Sequence, residues 1–211
     1  MDPYHTHVLH LIVFTGTGRL AVAEFHDVED AKRIFDTNFF GMMDLNQLTL
    51  PLLRESHGRV IMVSSLVGLV GNPKGSVYSA SKFAMEGFSD SLRREVKHFD
   101  ISVSVIEPAV VNTEFHQKVQ SASPYNEHNV EKAVGLYPMF HDATYKQKRH
   151  QQLTKGSNCS VATDAIVHAI TSRTPNTRYT VANINGTPAT FIAYLVRAVS
   201  DRLADAIFNL F

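Results

Sequence analysis

Gly58-Arg-Val-Ile-Met-Val-Ser-Ser65 is the first of three segments that point at one place; the others are Ser76-Val-Tyr-Ser-Ala-Ser-Lys82 and Ser102-Val-Ser-Val-Ile-Glu-Pro-Ala-Val-Val-Asn-Thr113. Arg59 to Val63 is a short apolar run with a β-branched bias, which predicts a buried strand. It ends at Ser64 and Ser65, so two hydroxyls belong at the carboxyl edge of that strand, where open α/β sheets place ligands. Ser76 reads as the N-cap of a helix through about Phe99. On that helix Tyr78 and Lys82 are one turn apart and share a face. Ser102 to Ile106 reads as a second buried strand, stopped at Pro108. Strand and helix ends therefore converge on a serine, a tyrosine and a lysine.

Outward from this centre, His10-Leu-Ile-Val-Phe14 reads as a strand feeding the turn Thr15-Gly-Thr-Gly18. From Asp30 to about Glu55 the period is helical, with Ala31, Ile34, Phe35, Asn38, Met42 and Leu45 on one stripe. Asn38 is the polar member of that stripe. Two readings of it stand: a buried amide satisfied by neighbouring backbone, or an amide placed to hold a water or a lysine. Pro51 predicts a kink or restart, and Gly58 a terminator. Residues 114–160 are polar and His-rich with weak helix signals, and read either as a lid or as an irregular surface segment. In the first case Phe115, Leu136, Tyr137, Met139 and Phe140 supply apolar surface over a lipophilic ligand. Thr163 predicts a cap for a helix through about Ser172, Arg178 to Ala182 a strand, and Pro188 to Phe211 an amphipathic helix. That last helix reads as core or dimer packing, or, with Arg197 and Arg202, as a membrane-surface contact. Strands near 9–14, 59–63, 102–106 and 178–182, alternating with helices, predict a parallel sheet with right-handed crossovers.

The 211 residues suffice for one domain with a sizeable core, and 20 basic against 20 acidic residues argue against nucleic acid as a partner. A single cysteine, Cys159, excludes an internal disulfide framework and fits a reducing compartment. The opening residues lack the pattern of a secretory leader and no window resembles a membrane span, so the expected location is cytoplasmic, with membrane association only through the last helix. The sequons at Asn158 and Asn185 are accordingly read as silent. His5, His7 and His10 lack acidic or thiol companions, and no metal site is expected of them. A serine hydrolase centred on Ser65 is disfavoured because no Gly-x-Ser-x-Gly elbow surrounds it.

Ser65, Tyr78-x-x-x-Lys82 thirteen residues on, Pro108-Ala-Val-Val-Asn-Thr113 and Asn38 within Phe35-Asp-Thr-Asn-Phe-Phe-Gly41 resemble, in order and spacing, the short-chain dehydrogenase/reductase superfamily. Tyr-x-x-x-Lys alone is a weak signal; the four elements together are strong. The region from Thr163 through Arg178-Tyr-Thr-Val looks most like the steroid and retinol dehydrogenase branch. The chemistry suits the residues without the name. Moving hydride to or from a carbonyl carbon needs a proton to move at the oxygen. A tyrosine with an ordinary pKa near 10 needs help to act as a base at neutrality, and an ammonium one turn away is expected to lower it. Tyr78 is then the acid/base, Lys82 its tuner, and Ser65 a donor to the developing oxyanion.

The resemblance implies more. It makes Asn38, Ser65, Tyr78 and Lys82 the catalytic set, with Asn38 holding a water that links Lys82 to solvent. It makes Tyr78, Lys82, Pro108, Ala109, Val111 and Thr113 the NAD or NADP contacts. It implies a Rossmann-like three-layer αβα fold, with 1–211 as one partial domain, 114–160 as the lid and 188–211 as the terminal helix. The family's Thr-Gly-x-x-x-Gly-x-Gly turn has no counterpart, and Thr15-Gly-Thr-Gly18 falls where the family has Asn-Asn-Ala-Gly. An N-terminally truncated sheet of about four strands is therefore expected. Two functional readings follow. One is an NAD(P)-dependent oxidoreductase of a lipophilic alcohol or ketone, with this chain as the catalytic half of a longer product. The other is a catalytically inactive remnant or splice form that binds or dimerises through the helices at 30–54 and 77–98.

Overall fold

The computed structural model describes residues 8–121, 127–200 and 202–204. Its centre is a four-stranded parallel sheet in the order β1 (His10–Val13), β2 (Arg59–Val63), β3 (Ser102–Pro108), β4 (Arg178–Val181). Registers run His10 beside Arg59, Arg59 beside Ser102 and Val105 beside Arg178. Spatial order thus repeats chain order, and every pairing is parallel, as the alternation of strand and helix signals predicts.

Side-chain alternation divides the sheet into two faces. Val13, Val60, Met62, Val103 and Val105 face α2 (Gly41–Glu55) and α3 (Ser76–Glu95), where Met42, Leu53, Met85 and Leu92 meet them. Ile61, Val63 and Ile106 point the other way, onto Ala165 and Ala169 of α7 (Ser160–Thr171). The third crossover therefore has the opposite hand to the first two, a departure from uniform right-handedness. The rule holds for short crossovers that fold straight back on the sheet. Here α4 (Glu114–Ser121), α5 (Glu127–Leu136) and α6 (Ala143–Thr154) intervene and carry the chain round to the other face. The 114–160 insertion is thus mainly helical. A third packing unit seats Ala189, Ile192 and Ala193 of α8 (Ala189–Ala198) on Leu66.

Local boundaries depart from the sequence reading in instructive ways. The helical period read from Asp30 starts two residues earlier: Asp27 caps α1 (Val28–Phe35), its carboxylate accepting from the Asp30 amide. One turn of π-helix, Asp36–Phe40, joins α1 to α2. α2 runs on through Pro51 without restarting; Pro51 and Gln47 are both exposed, so the carbonyl left without its donor faces water. Ser76 is the first residue of α3 and not its cap, a position taken by Gly75 without a side-chain bond. Thr163 lies inside α7, its hydroxyl donating to the Cys159 carbonyl, while Asn158 Oδ1 accepts from the Ser160 amide at the helix start. Gly58 is required where it is: a Cβ there would lie 2.6 Å from both Leu53 Cδ2 and the Leu9 carbonyl oxygen. α8 leaves helical geometry at Val199, and of the expected continuation only 200 and 202–204 fall within the described residues.

β1 has one neighbour, β2, among the described strands. Val8, Leu9, Ile12 and Phe14 around it are exposed, Phe14 by 73%. No helix of the described residues is long and apolar enough to cross a membrane.

Candidate active site

Three strand ends and one helix build the site. β2 delivers Ser64 and Ser65 at its carboxyl end, β3 delivers Pro108, and the segment after β1 delivers Thr15 to Gly18. Helix α3 starts close by, so its first two turns present Tyr78 and Lys82 to the same place.

Lys82 is 2% exposed, and its Nζ donates to the carbonyls of Thr15 (3.1 Å) and Val63 (3.0 Å). Two of three ammonium protons are thereby used to join β1 to β2. Gly16 lies beside Nζ: a Cβ there would come within 3.7 Å of it, an ordinary contact. Tyr78 is half-buried, stacked against Phe115 at 5.7 Å between ring centroids and against the Gly18 backbone. Ser65 caps the short 3₁₀ turn Leu66–Gly68, accepting from the Val67 amide and donating to the Pro108 carbonyl at 3.4 Å. Gly68 beside it is packed tightly, since a Cβ there would approach Ser64 Oγ to 2.9 Å.

Asn38 is fully buried by the π-helical turn. Its Oδ1 accepts from the Thr17 amide (2.8 Å), and its Nδ2 donates to the Thr17 carbonyl and to Ser81 Oγ (2.9 Å each). The amide thus braces the Thr15–Gly18 turn against α3. The side chain is satisfied on the Thr17 backbone and on Ser81 Oγ, as the first of the two sequence readings expects.

The electrostatics overturn one expectation. Burial pushes the Tyr78 phenol up to about 12, the Ser65 hydroxyl acting against it. Lys82 does not lower it: Nζ is 5.9 Å from the ring centroid, and two of its protons point to backbone oxygens. Lys82 is itself pulled down to about 8 by burial, with Glu86 opposing. Desolvation disfavours each charged form, and here it outweighs the attraction expected one turn apart.

The segment after β3 keeps polar backbone available. Ala109 N–H donates to the Val181 carbonyl, while Val110 and Asn112 exchange bonds with Ser157. Val111 lies between them, so its own amide and carbonyl face away from Ser157 and have no partner among the described residues. Thr113 is exposed at the start of α4.

Sequence reasoning missed the support behind Lys82. Glu86, one further turn along α3 and 6% exposed, approaches Arg178 of β4 at 3.1 Å. Arg178 also reaches Asp90 and Glu107 at 3.0 Å each, and Arg197 of α8 meets Glu107 at 2.9 Å. Burial raises Glu86 to about 7, because Arg178 divides its charge among three carboxylates and Glu107 adds repulsion. The spacing of Tyr78, Lys82 and Glu86 at successive turns was the available signal. Arg197 pairs with Glu107 while its side chain stays 44% exposed. Among the described residues no His, Cys, Asp and Glu gather as a metal site; His5 and His7 lie outside them.

Fold and cluster together define an α/β protein with a Ser–Tyr–Lys centre at the carboxyl edge of a parallel sheet. The family model for short chain dehydrogenase matches residues 4–124, and the chain belongs to that family. It is 31% identical over 166 residues to 17-beta-hydroxysteroid dehydrogenase type 6 of Homo sapiens, covering 76% of this chain and 51% of that protein. Against Retinol dehydrogenase 7 of Mus musculus it is 34% identical over 163 residues, covering 75% and 51%. Thus it spans about half the length of such curated relatives, which lie in the steroid and retinol dehydrogenase branch. A short chain dehydrogenase of Burkholderia cenocepacia J2315, solved in complex with NADP, shares the fold with a TM-score of 0.67 at 22% identity, over 98% of this chain and 70% of that one.

Proposed function

We propose that this chain carries the catalytic half of an NAD(P)-dependent oxidoreductase that interconverts a lipophilic alcohol and its ketone or aldehyde, of steroid or retinol type. The observation that carries the reading is the meeting of Ser65, Tyr78 and Lys82 at the ends of β1, β2 and β3. The residues present suit a nicotinamide nucleotide: Lys82 keeps one proton for a ribose hydroxyl, and Val111 offers a free amide and carbonyl to a carboxamide. Pro108, Ala109 and Thr113 would complete that wall. When bound, the nucleotide takes or gives the hydride. In reduction Tyr78 Oη gives its proton to the carbonyl oxygen as the carbon gains hydride; in oxidation the hydroxyl proton goes to Tyr78 Oη as hydride leaves. Ser65 would donate to the same oxygen and lower the cost of its developing charge. With the phenol held near 12, Tyr78 carries its proton throughout the neutral range, which favours its role as acid. Asn38 acts as a positioning residue, holding the turn that accepts from Lys82.

The partner in such an assembly would be a second copy, through the helices at 30–54 and 77–98. Leu45, Leu48 and Leu52 form an exposed stripe on α2, and Phe83 is exposed on α3. The insertion at 114–160 is read as the lid, since Phe115 already covers Tyr78.

A second reading, that the chain binds or dimerises without turnover, is favoured by β1, which stands at the sheet edge with exposed apolar neighbours. Titration of the chain with NADH and NADPH decides between the two. Saturable binding of either, abolished in Lys82→Ala while the thermal midpoint is kept, supports the first. Failure of both to bind refutes catalysis by this chain alone.

A further inference from the structure

We propose that Lys74, His141, Lys146 and Arg149 form an anion subsite between the insertion and the loop before α3, taking a carboxylate, sulfate or phosphate group. Lys74 holds φ +64°, a left-handed backbone uncommon for a side chain of this kind. Two contacts hold it there: its carbonyl accepts from the Ala21 amide (2.8 Å), and its Nζ donates to the Phe140 carbonyl (3.2 Å). Nζ also lies 5.5 Å from the Tyr145 ring centre, which Phe140 packs edge-on. Strained backbone of this sort is retained where a side chain must be aimed.

The charges around Lys74 share its sign. Burial disfavours its ammonium first, then Lys146 and Arg149 add repulsion; His141 is lowered by burial, by Lys74 and by Lys146. Arg149 is likewise disfavoured by burial, and its Nε is buried with no hydrogen-bond partner among the described residues. The neighbouring carboxylates are used elsewhere: Asp142 caps α6 at the Tyr145 amide, and Glu24 accepts from the Tyr137 hydroxyl (2.7 Å). Neither Lys74, Lys146 nor Arg149 makes an ion pair with a described carboxylate. Arg19, by contrast, reaches Asp30, and Arg178 reaches three carboxylates. Like charges gathered and partly desolvated are stabilised by an anion from outside.

The subsite adjoins the Ser–Tyr–Lys centre. Lys74 precedes Tyr78 by four residues, and the segment from Gly18, against Tyr78, to Ala21, bonded to Lys74, runs along both. Resting on the oxidoreductase reading above, the anion is the charged end of the substrate, an amphiphile whose alcohol or carbonyl carbon reaches Tyr78.

Calorimetric titration of the whole chain, without nucleotide, tests this with three probes: inorganic sulfate, dehydroepiandrosterone sulfate and dehydroepiandrosterone. Sulfate should bind saturably, and the sulfated steroid at least tenfold tighter than either sulfate or its unsulfated parent. Lys74→Gly, which suits φ +64°, and Arg149→Gln should each weaken the sulfated steroid at least tenfold while circular dichroism and the thermal midpoint stay native. Lys148→Gln on the same helix should change nothing. Sulfate binding with no advantage for the sulfated steroid over its parent overturns the substrate assignment. No sulfate binding, or binding unchanged in Lys74→Gly, overturns the subsite. Nucleotide binding is measured separately, so its failure beside intact sulfate binding refutes only the oxidoreductase reading.

Discussion

Glu86→Gln should make stability respond differently to pH, and the structure sets both direction and size. In the folded chain the Glu86 carboxyl is raised from 4.5 to about 7, by burial first, with Glu107 adding repulsion and Ser64, Arg178 and Arg197 opposing. On α3, Lys82 lies one turn back and Asp90, which shares Arg178, one turn on. The native state therefore binds the proton more tightly than the unfolded chain. Below about 4.5 both states are protonated and burial of the group costs little. Between 4.5 and about 7 the unfolded chain loses its proton first, so stability falls as pH rises, and above about 7 the cost is complete. At roughly 1.4 kcal/mol per pKa unit, the full cost is on the order of 3 kcal/mol. Glutamine keeps the shape and has nothing to titrate. The stability of Glu86→Gln relative to the parent should thus rise by about 3 kcal/mol from pH 4.5 to pH 8. Urea unfolding at several pH values, compared at constant m, measures it. A difference that stays flat across that range refutes the desolvated carboxyl, and a falling one means that Arg178 wins over burial.

Asn38→Ala removes three hydrogen bonds and strands the Thr17 amide and carbonyl; a loss of roughly 3 kcal/mol is expected. Hydrogen exchange at the Thr17 amide should quicken even where the global midpoint is rescued by ligand. Gly58→Ala places a methyl group against Leu53 and the Leu9 carbonyl and should cost about 2 kcal/mol in chemical denaturation, as overpacking does. Ala182→Gly relieves φ +72° and should stabilise by about 1 kcal/mol. Leu48→Asp, on a residue 74% exposed, should leave stability within about 0.5 kcal/mol but halve the mass seen by light scattering where the chain pairs through α2.

The sheet was legible because each strand is a short apolar run closed by a turn or a helix start. Arg59–Val63 was read to the residue, and the others erred only at their ends, where pairing with a neighbour decides the limit. The positions of Ser65, Tyr78 and Lys82 followed from spacing, since one turn of helix and one strand end fix them. The π-helical turn at Asn38 did not, because an extra residue in a turn leaves the apolar stripe nearly unchanged. The phenol's direction of shift was also hidden. It depends on where Nζ points, and that is set by the Thr15 and Val63 carbonyls, far away in sequence. Glu86, Glu107, Arg178 and Arg197 were illegible for the same reason: strands and helices about 90 residues apart supply the partners. The opposite hand of the last crossover came from the long insertion, whose path no local period records.

Because strand order repeats chain order, the sheet can be laid down in one direction as the polypeptide leaves the ribosome. Each strand emerges to find its neighbour already made. β4 arrives last and brings Arg178, on which Glu86, Asp90 and Glu107 converge. Roughly 70 residues separate Glu107 from that arginine, which is several seconds of synthesis at about 5–20 residues per second. Throughout that interval Glu86 and Glu107 have no guanidinium to receive them and keep their water, while Asp90 has only Arg93 on its own helix. The carboxyl end of β3, where Pro108 and the site begin, is therefore sealed by a late electrostatic event, and the half of the sheet that holds Lys82 is ready before it.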